Sequence, residues 1–199
     1  MSEIRRWARP LRKALRLILP RWHLAYAAEP YTASFQNSIV DAKDRDLVFE
    51  AFLSRSRGKR CLQVSVKEAY GAKFGENWIS VDKYDHRSFI DRYDDIEDLD
   101  FPDNSFDAAV CWSVLEHVPH PETAVSELTR VLRPGGEVFV QLPYLYPYHG
   151  PPSYPDYWRV GPDGLRLWMS EFDEIACGCY FFSDTKLAVS TFFCGRKRL

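Results

Sequence analysis

Apolar positions along this chain follow two different periods, and the change between them is clearest from Phe101 to Pro143. FPDNSFD is a polar turn cluster, Phe106 to Cys111 is an apolar run short enough for a buried strand, and Ala124, Leu128, Val131 and Leu132 recur at helical spacing. Pro121 suits a first helical turn, where its missing N–H would be unpaired in any case. Pro134-Gly135-Gly136 stops that helix and starts the run Glu137 to Gln141, so the segment predicts strand, helix, strand, the arrangement of a parallel α/β sheet.

The same reading extends outward. Residues 4–19 place Ile4, Trp7, Ala8, Leu11, Leu15 and Ile18 on one helical face, with six Lys and Arg over the remainder, and Pro20 ends this basic amphipathic helix. Its apolar stripe suits docking on the protein's own body or a partner, and its basic face suits an anionic membrane surface; the pattern leaves both open. Pro30 to Asn37 is irregular. Asp41 to Arg55 reads as a helix with Leu47, Val48, Ala51 and Phe52 inward, closed by Gly58. Arg60 to Val66 and Trp78 to Val81 read as the first two strands. After Pro143 the prolines and glycines of YLYPYHGPPSYPDYWRVGPDG exclude regular structure. A helix from Pro162 to Ser170 and a strand pair, Phe172 to Tyr180 and Leu187 to Cys194, complete the chain. The expected organisation is a helix and connector over 1–30, then one domain over 31–199 with an aromatic, proline-rich loop at 143–161.

Composition agrees with one globular domain: 199 residues, 46% apolar and 15% aromatic, are enough to build a core. The net charge of −2 hides an asymmetry, because residues 1–25 hold seven of the 26 basic side chains and one of the 28 acids. The remaining body is acidic and does not favour nucleic acid. Five cysteines, an odd number, with no leader-like segment before them, point to a reducing cytoplasm, with a peripheral position at the inner face of the membrane if the basic helix binds lipid. Cys177-Gly178-Cys179 has no second pair or spaced histidine and reads as strand cysteines, so no metal is assigned. No run approaches the roughly 20 apolar residues of a membrane-spanning helix.

In their order and spacing, FPDNSFD, VLEHV and ELTRVLRPGG resemble the second half of class I S-adenosylmethionine-dependent methyltransferases of the type 11 group. The resemblance implies a Rossmann-like, mostly parallel seven-stranded sheet with helices on both faces and a C-terminal antiparallel hairpin. It also implies S-adenosylmethionine as cofactor. Asp82, at the end of the second strand, would then accept the ribose hydroxyls. DIEDLDFP would put Asp95 at the adenine amino group and Ile96 against the base, and Trp112 and Ser113 at the fourth strand's end would flank the methionine portion. The chain departs from the family after its first strand, where Gln63 to Gly71 lack the usual glycines. Glycine serves there because the backbone must take positive φ, so the loop should differ in shape. Ser65 nonetheless lies seventeen residues before Asp82, close to the roughly 20-residue interval of nucleotide-binding units, which places Ser65 and Lys67 in the cofactor loop by position.

On the acceptor side His149 is the candidate general base, since its ordinary pKa near 6.5 lets it take a proton at neutral pH. Tyr148, Tyr154, Asp156, Tyr157, Trp158 and Arg159 surround it in sequence and suit a sugar or phenolic acceptor, with rings on apolar faces and charged groups on hydroxyls. The segment also resembles methyltransferase-like proteins of surface-glycan biosynthesis, which implies a glycan or other small-molecule acceptor. Two functions follow: methyl transfer to a hydroxyl, or a catalytically inactive methyltransferase-fold subunit that binds a partner.

Overall fold

The computed structural model describes residues 42–65, 77–150, 154–181 and 188–199. All lie in the compact unit Val40–Leu199, and the expected helix over 4–19 and the irregular segment 30–37 fall outside them. Seven strands form one sheet: β1 (Cys61–Val64), β2 (Trp78–Asp82), β3 (Arg92–Tyr93), β4 (Phe106–Trp112), β5 (Leu132–Pro143), β6 (Phe172–Phe181) and β7 (Ala188–Lys197). Their order is β3-β2-β1-β4-β5-β7-β6. The first five are parallel, and β7 lies antiparallel between β5 and β6. This is the Rossmann-like, mostly parallel sheet with a C-terminal antiparallel hairpin that the family resemblance implied. Strand order reverses between β1 and β4, the switch point at which open α/β sheets bind ligands.

Helices cover both faces. Helix α1 (Ala42–Arg55) packs Phe52 and Leu53 against Trp78, Val110, Phe139 and Phe192. Its inward stripe is Val48, Phe49, Phe52 and Leu53, while Leu47 and Ala51, expected inward, are exposed. Helix α2 (Pro121–Val131) buries Ala124, Val125 and Leu128 on the opposite face, where α3 (Pro162–Trp168) adds Leu165. Leu132 shares the helical stripe but opens β5.

The Pro134-Gly135-Gly136 corner has a steric cause. Gly135 sits at φ 76°, a left-handed value that favours glycine, and a Cβ on Gly136 would lie 2.9 Å from the Arg133 carbonyl oxygen. The two-residue strand β3, hidden in an acidic run, was not legible in the pattern because nothing there alternates.

Candidate active site

At the switch point the chain leaves two neighbouring strands through strained residues. Ser65, after β1, has φ 51°, and Ser113, after β4, has φ 54°. Such left-handed conformations cost a residue bearing a Cβ about 1–2 kcal/mol and concentrate at functional sites. Both are tied down: the Ser65 N–H donates to the Val81 carbonyl (3.1 Å), and Ser113 donates through its N–H to the Gln141 carbonyl (2.8 Å) and through its hydroxyl to Gln141 Oε1 (3.0 Å). Ser65 thus takes the backbone sign for which glycine is ordinarily used, although the sequence offers none.

A cleft of about 370 Å³ opens beside these residues, within the usual range for small-molecule sites. Ser65, Asp82, Asp95, Ile96 and Ser113 all line it, together with Lys83, Tyr84, His117, Val118 and Tyr154. Five residues expected at the cofactor are therefore brought together from four separate chain segments. Lys67 lies outside the described residues. The Trp112 ring does not line the cleft. Consecutive strand residues point to opposite faces, and this one stacks on Phe139 at 5.7 Å and meets Phe49 at 5.0 Å in the α1-side core.

Two acids of the cleft have distinct settings. Asp82 Oδ1 accepts the N–H groups of Tyr84 (2.7 Å) and Asp85 (2.8 Å), which fixes the turn after β2. Asp95 Oδ1 accepts the Glu97 N–H at 3.1 Å, and its other oxygen is paired with Lys83. That hydrogen bond raises the Lys83 pKa against the opposing effect of burial. Lys83 stands directly after the strand-ending Asp82 and was missed as a site residue; the acid run that follows was its signal.

Helix α2 holds the Asp95 segment in place. The Arg130 guanidinium donates to the carbonyls of Leu99 (2.8 Å) and Phe101 (2.7 Å), and Glu127 accepts the Leu99 N–H at 2.9 Å. Arg130 and Glu127 also bond each other, which holds the Glu127 carboxyl below its ordinary pKa.

The aromatic loop docks on the single turn of 3-10 helix Leu115–His117 that follows β4. The N–H groups of Tyr157 (2.7 Å) and Trp158 (3.3 Å) donate to the Glu116 carbonyl, and the Trp158 indole donates to the Val118 carbonyl (2.8 Å). Of the six loop residues expected at an acceptor, only Tyr154 lines the cleft. Tyr148 and Tyr157 are exposed. The Asp156 side chain is 1% exposed and clasped by Arg159 at 2.5 and 2.7 Å, which depresses its carboxyl far below the usual range.

His149 belongs to this internal network. Its Nδ1 lies 3.0 Å from Asp156 Oδ2, and its N–H donates to the same oxygen at 2.9 Å. Its ring meets that of His117 edge-on at 4.9 Å, and His117 in turn meets Tyr154 at 4.6 Å. His117, rather than His149, is the imidazole on the cleft wall. Behind both is Glu116, whose side chain has no exposure and whose carboxylate oxygens have no hydrogen-bond partner in any other described residue. Burial pushes its carboxyl up to about 8, opposed by its own amide and the Arg159 charge. Burial likewise lowers the His117 pKa. Neither Glu116 nor His117 is among the site residues expected from the sequence; the adjacent Glu-His pair shortly after β4 was the available signal.

Comparison with known proteins adds several likenesses. Residues 58–140 match a family model described as a methyltransferase domain. A phosphatidylethanolamine N-methyltransferase of Cereibacter sphaeroides is 50% identical over 46 residues, 23% of this chain and 23% of the relative. A ubiquinone/menaquinone biosynthesis C-methyltransferase of Brucella canis is 35% identical over 95 residues, 43% of this chain and 35% of the relative. The chain thus spans well under half the length of these curated relatives. Among solved structures, the Burkholderia thailandensis 1,6-didemethyltoxoflavin-N1-methyltransferase, with bound 1,6-didemethyltoxoflavin and S-adenosylhomocysteine, superposes with a TM-score of 0.62. It is 14% identical, and the match covers 100% of this chain and 92% of that one, a likeness of fold.

Proposed function

We propose that this chain, whose residues 58–140 match the methyltransferase-domain model, is a class I S-adenosylmethionine-dependent methyltransferase that transfers a methyl group to a hydroxyl of a small molecule, with a sugar as the acceptor class. The observation that supports this reading is the convergence of Ser65, Asp82, Asp95, Ile96 and Ser113 on one cleft at the switch point. The residues present fit the cofactor. Asp82 commits one oxygen to the turn and has no described partner on the other, which suits ribose hydroxyls. Ile96 offers an apolar side chain for a base, and Asp95 meets an adenine amino group by sharing its carboxylate with Lys83.

When bound, S-adenosylmethionine supplies an electrophilic methyl group with a neutral leaving group. The chain's own contribution is then position, which for aligned reactants is worth about 7–11 kcal/mol. Tyr154 and His117 form the wall where an acceptor meets the cleft. His149, held by Asp156 from behind, is the proposed proton acceptor, beside His117.

Methyl-labelled S-adenosylmethionine incubated with a panel of sugars and phenols tests the proposal. Label is expected in a hydroxylated small molecule, and His149→Gln is expected to lower kcat by about 10²–10⁴-fold, the usual share of general-base catalysis, with the cofactor KM held. Cofactor binding with no label in any acceptor would count against methyl transfer and favour a binding role.

A further inference from the structure

We infer that Glu116, His117 and His149 form a site for one divalent cation of the zinc and iron(II) class, at the acceptor end of the cleft. Glu116 is fully buried and neither oxygen is hydrogen-bonded to another described residue, an arrangement that costs stability and demands a partner. The two imidazoles present that partner's other ligands. His117 Nε2 lies 3.8 Å and His149 Nε2 3.9 Å from Glu116 Oε1, and one ligand atom from each residue falls within 4.8 Å of the others. These separations are too long for hydrogen bonds. They approach the spacing of donors around a common ion, where each ligand sits about 2.0–2.2 Å from the metal.

The far sides of both rings are held as metal-bound histidines are. His117 Nδ1 is 2.6 Å from the Pro155 carbonyl oxygen. His149 Nδ1 has two oxygens beside it, Asp156 Oδ2 at 3.0 Å and Pro147 O at 3.3 Å. Arg159 Nη2 also stands 3.3 Å from this nitrogen, but its shorter bond, 2.7 Å, goes to Asp156. A proton on each Nδ1 satisfies these oxygens and leaves each Nε2 lone pair facing Glu116, the carboxylate- or carbonyl-backed imidazole of metal centres. Two imidazoles and one carboxylate suit zinc, iron(II), nickel or manganese better than calcium or magnesium. Three protein ligands leave coordination positions open, as catalytic rather than structural sites do, and His117 on the cleft wall places the cluster beside the space for an acceptor. The inference goes beyond methyl transfer: the His149 Nε2 lone pair is open to act as a base only in the metal-free protein, and in the loaded protein the cation would occupy it and would itself lower the pKa of a bound acceptor hydroxyl.

Chelator-treated, untagged full-length protein titrated with Co²⁺, with Zn²⁺ in competition, tests the site. One equivalent is expected, with weak visible bands of nitrogen and oxygen ligation. His149→Ala and Glu116→Gln, checked for native circular dichroism, should each weaken binding at least tenfold, and Asp156→Asn by about 10–100-fold, the range for outer partners of a metal ligand. No uptake, a thiolate charge-transfer band, or an affinity unmoved in a folded His149→Ala variant would overturn it. The same preparation titrated with S-adenosylhomocysteine separates the two readings: that ligand without cobalt removes only the cation site, and cobalt without that ligand removes only the methyltransferase reading.

Discussion

Ser65 and Ser113 occupy left-handed backbone at the two strand ends that flank the cleft. Relieving that strain at Ser65 should stabilise the fold. Ser65→Gly removes a penalty of about 1–2 kcal/mol but adds about 0.5–1 kcal/mol of unfolded-chain entropy. Urea denaturation should therefore show an unfolding free energy raised by up to about 1.5 kcal/mol, and a lowered one for Ser65→Val, whose β-branch tolerates positive φ poorly. The sequence suggested a reshaped loop because its glycines are missing. Yet a serine's letter does not record the sign of its φ, which the bonds to Val81 and the reversal of strand order impose. Trp112 shows a similar limit: its position at a strand end was legible, but the pleat decides which of Trp112 and Ser113 meets the cleft.

At the scale of elements, ELTRVLRPGG acts as a clamp. Glu127 and Arg130 of α2 grip the backbone of residues 99–101, which follows the cleft-lining Asp95 and Ile96. Arg130→Ala should cost about 2 kcal/mol of stability, since its hydrogen bonds carry charge, and should weaken cofactor binding measurably in calorimetry. Acid should act on the same clamp. The folded Glu127 carboxyl is depressed, so its contribution is complete above the unfolded value of about 4.3 and is lost as pH falls through the folded value beneath it. Glu127→Gln should accordingly flatten the acid limb of a stability profile below about pH 4.3. The helix itself was legible from its 3.6-residue period and Pro121. Helix α1 was legible in extent and, at Val48 and Phe52, in facing; the rest of the stripe was not, because Leu47 and Ala51 are as apolar as the Phe49 and Leu53 that the sheet selects.

Across the molecule, the parallel sheet followed from one strand-helix-strand segment, while the order β3-β2-β1-β4-β5-β7-β6 came only with the structure. That order matters because it brings Ser65 beside Ser113 and turns acids scattered over residues 82–97 into the walls of one cleft. The loop docking on Glu116 was not legible, since residues about forty apart in sequence meet there largely through backbone bonds that any side chain permits, with the Trp158 indole adding one of its own. Methyl transfer by this chain requires the cofactor to bind in this cleft. Isothermal calorimetry of the full chain with S-adenosylhomocysteine is the most direct measurement. We expect one site with a Kd near micromolar, about −8 kcal/mol, weakened at least tenfold by Asp82→Ala; no heat from the folded wild-type protein, or an affinity indifferent to Asp82, would contradict it.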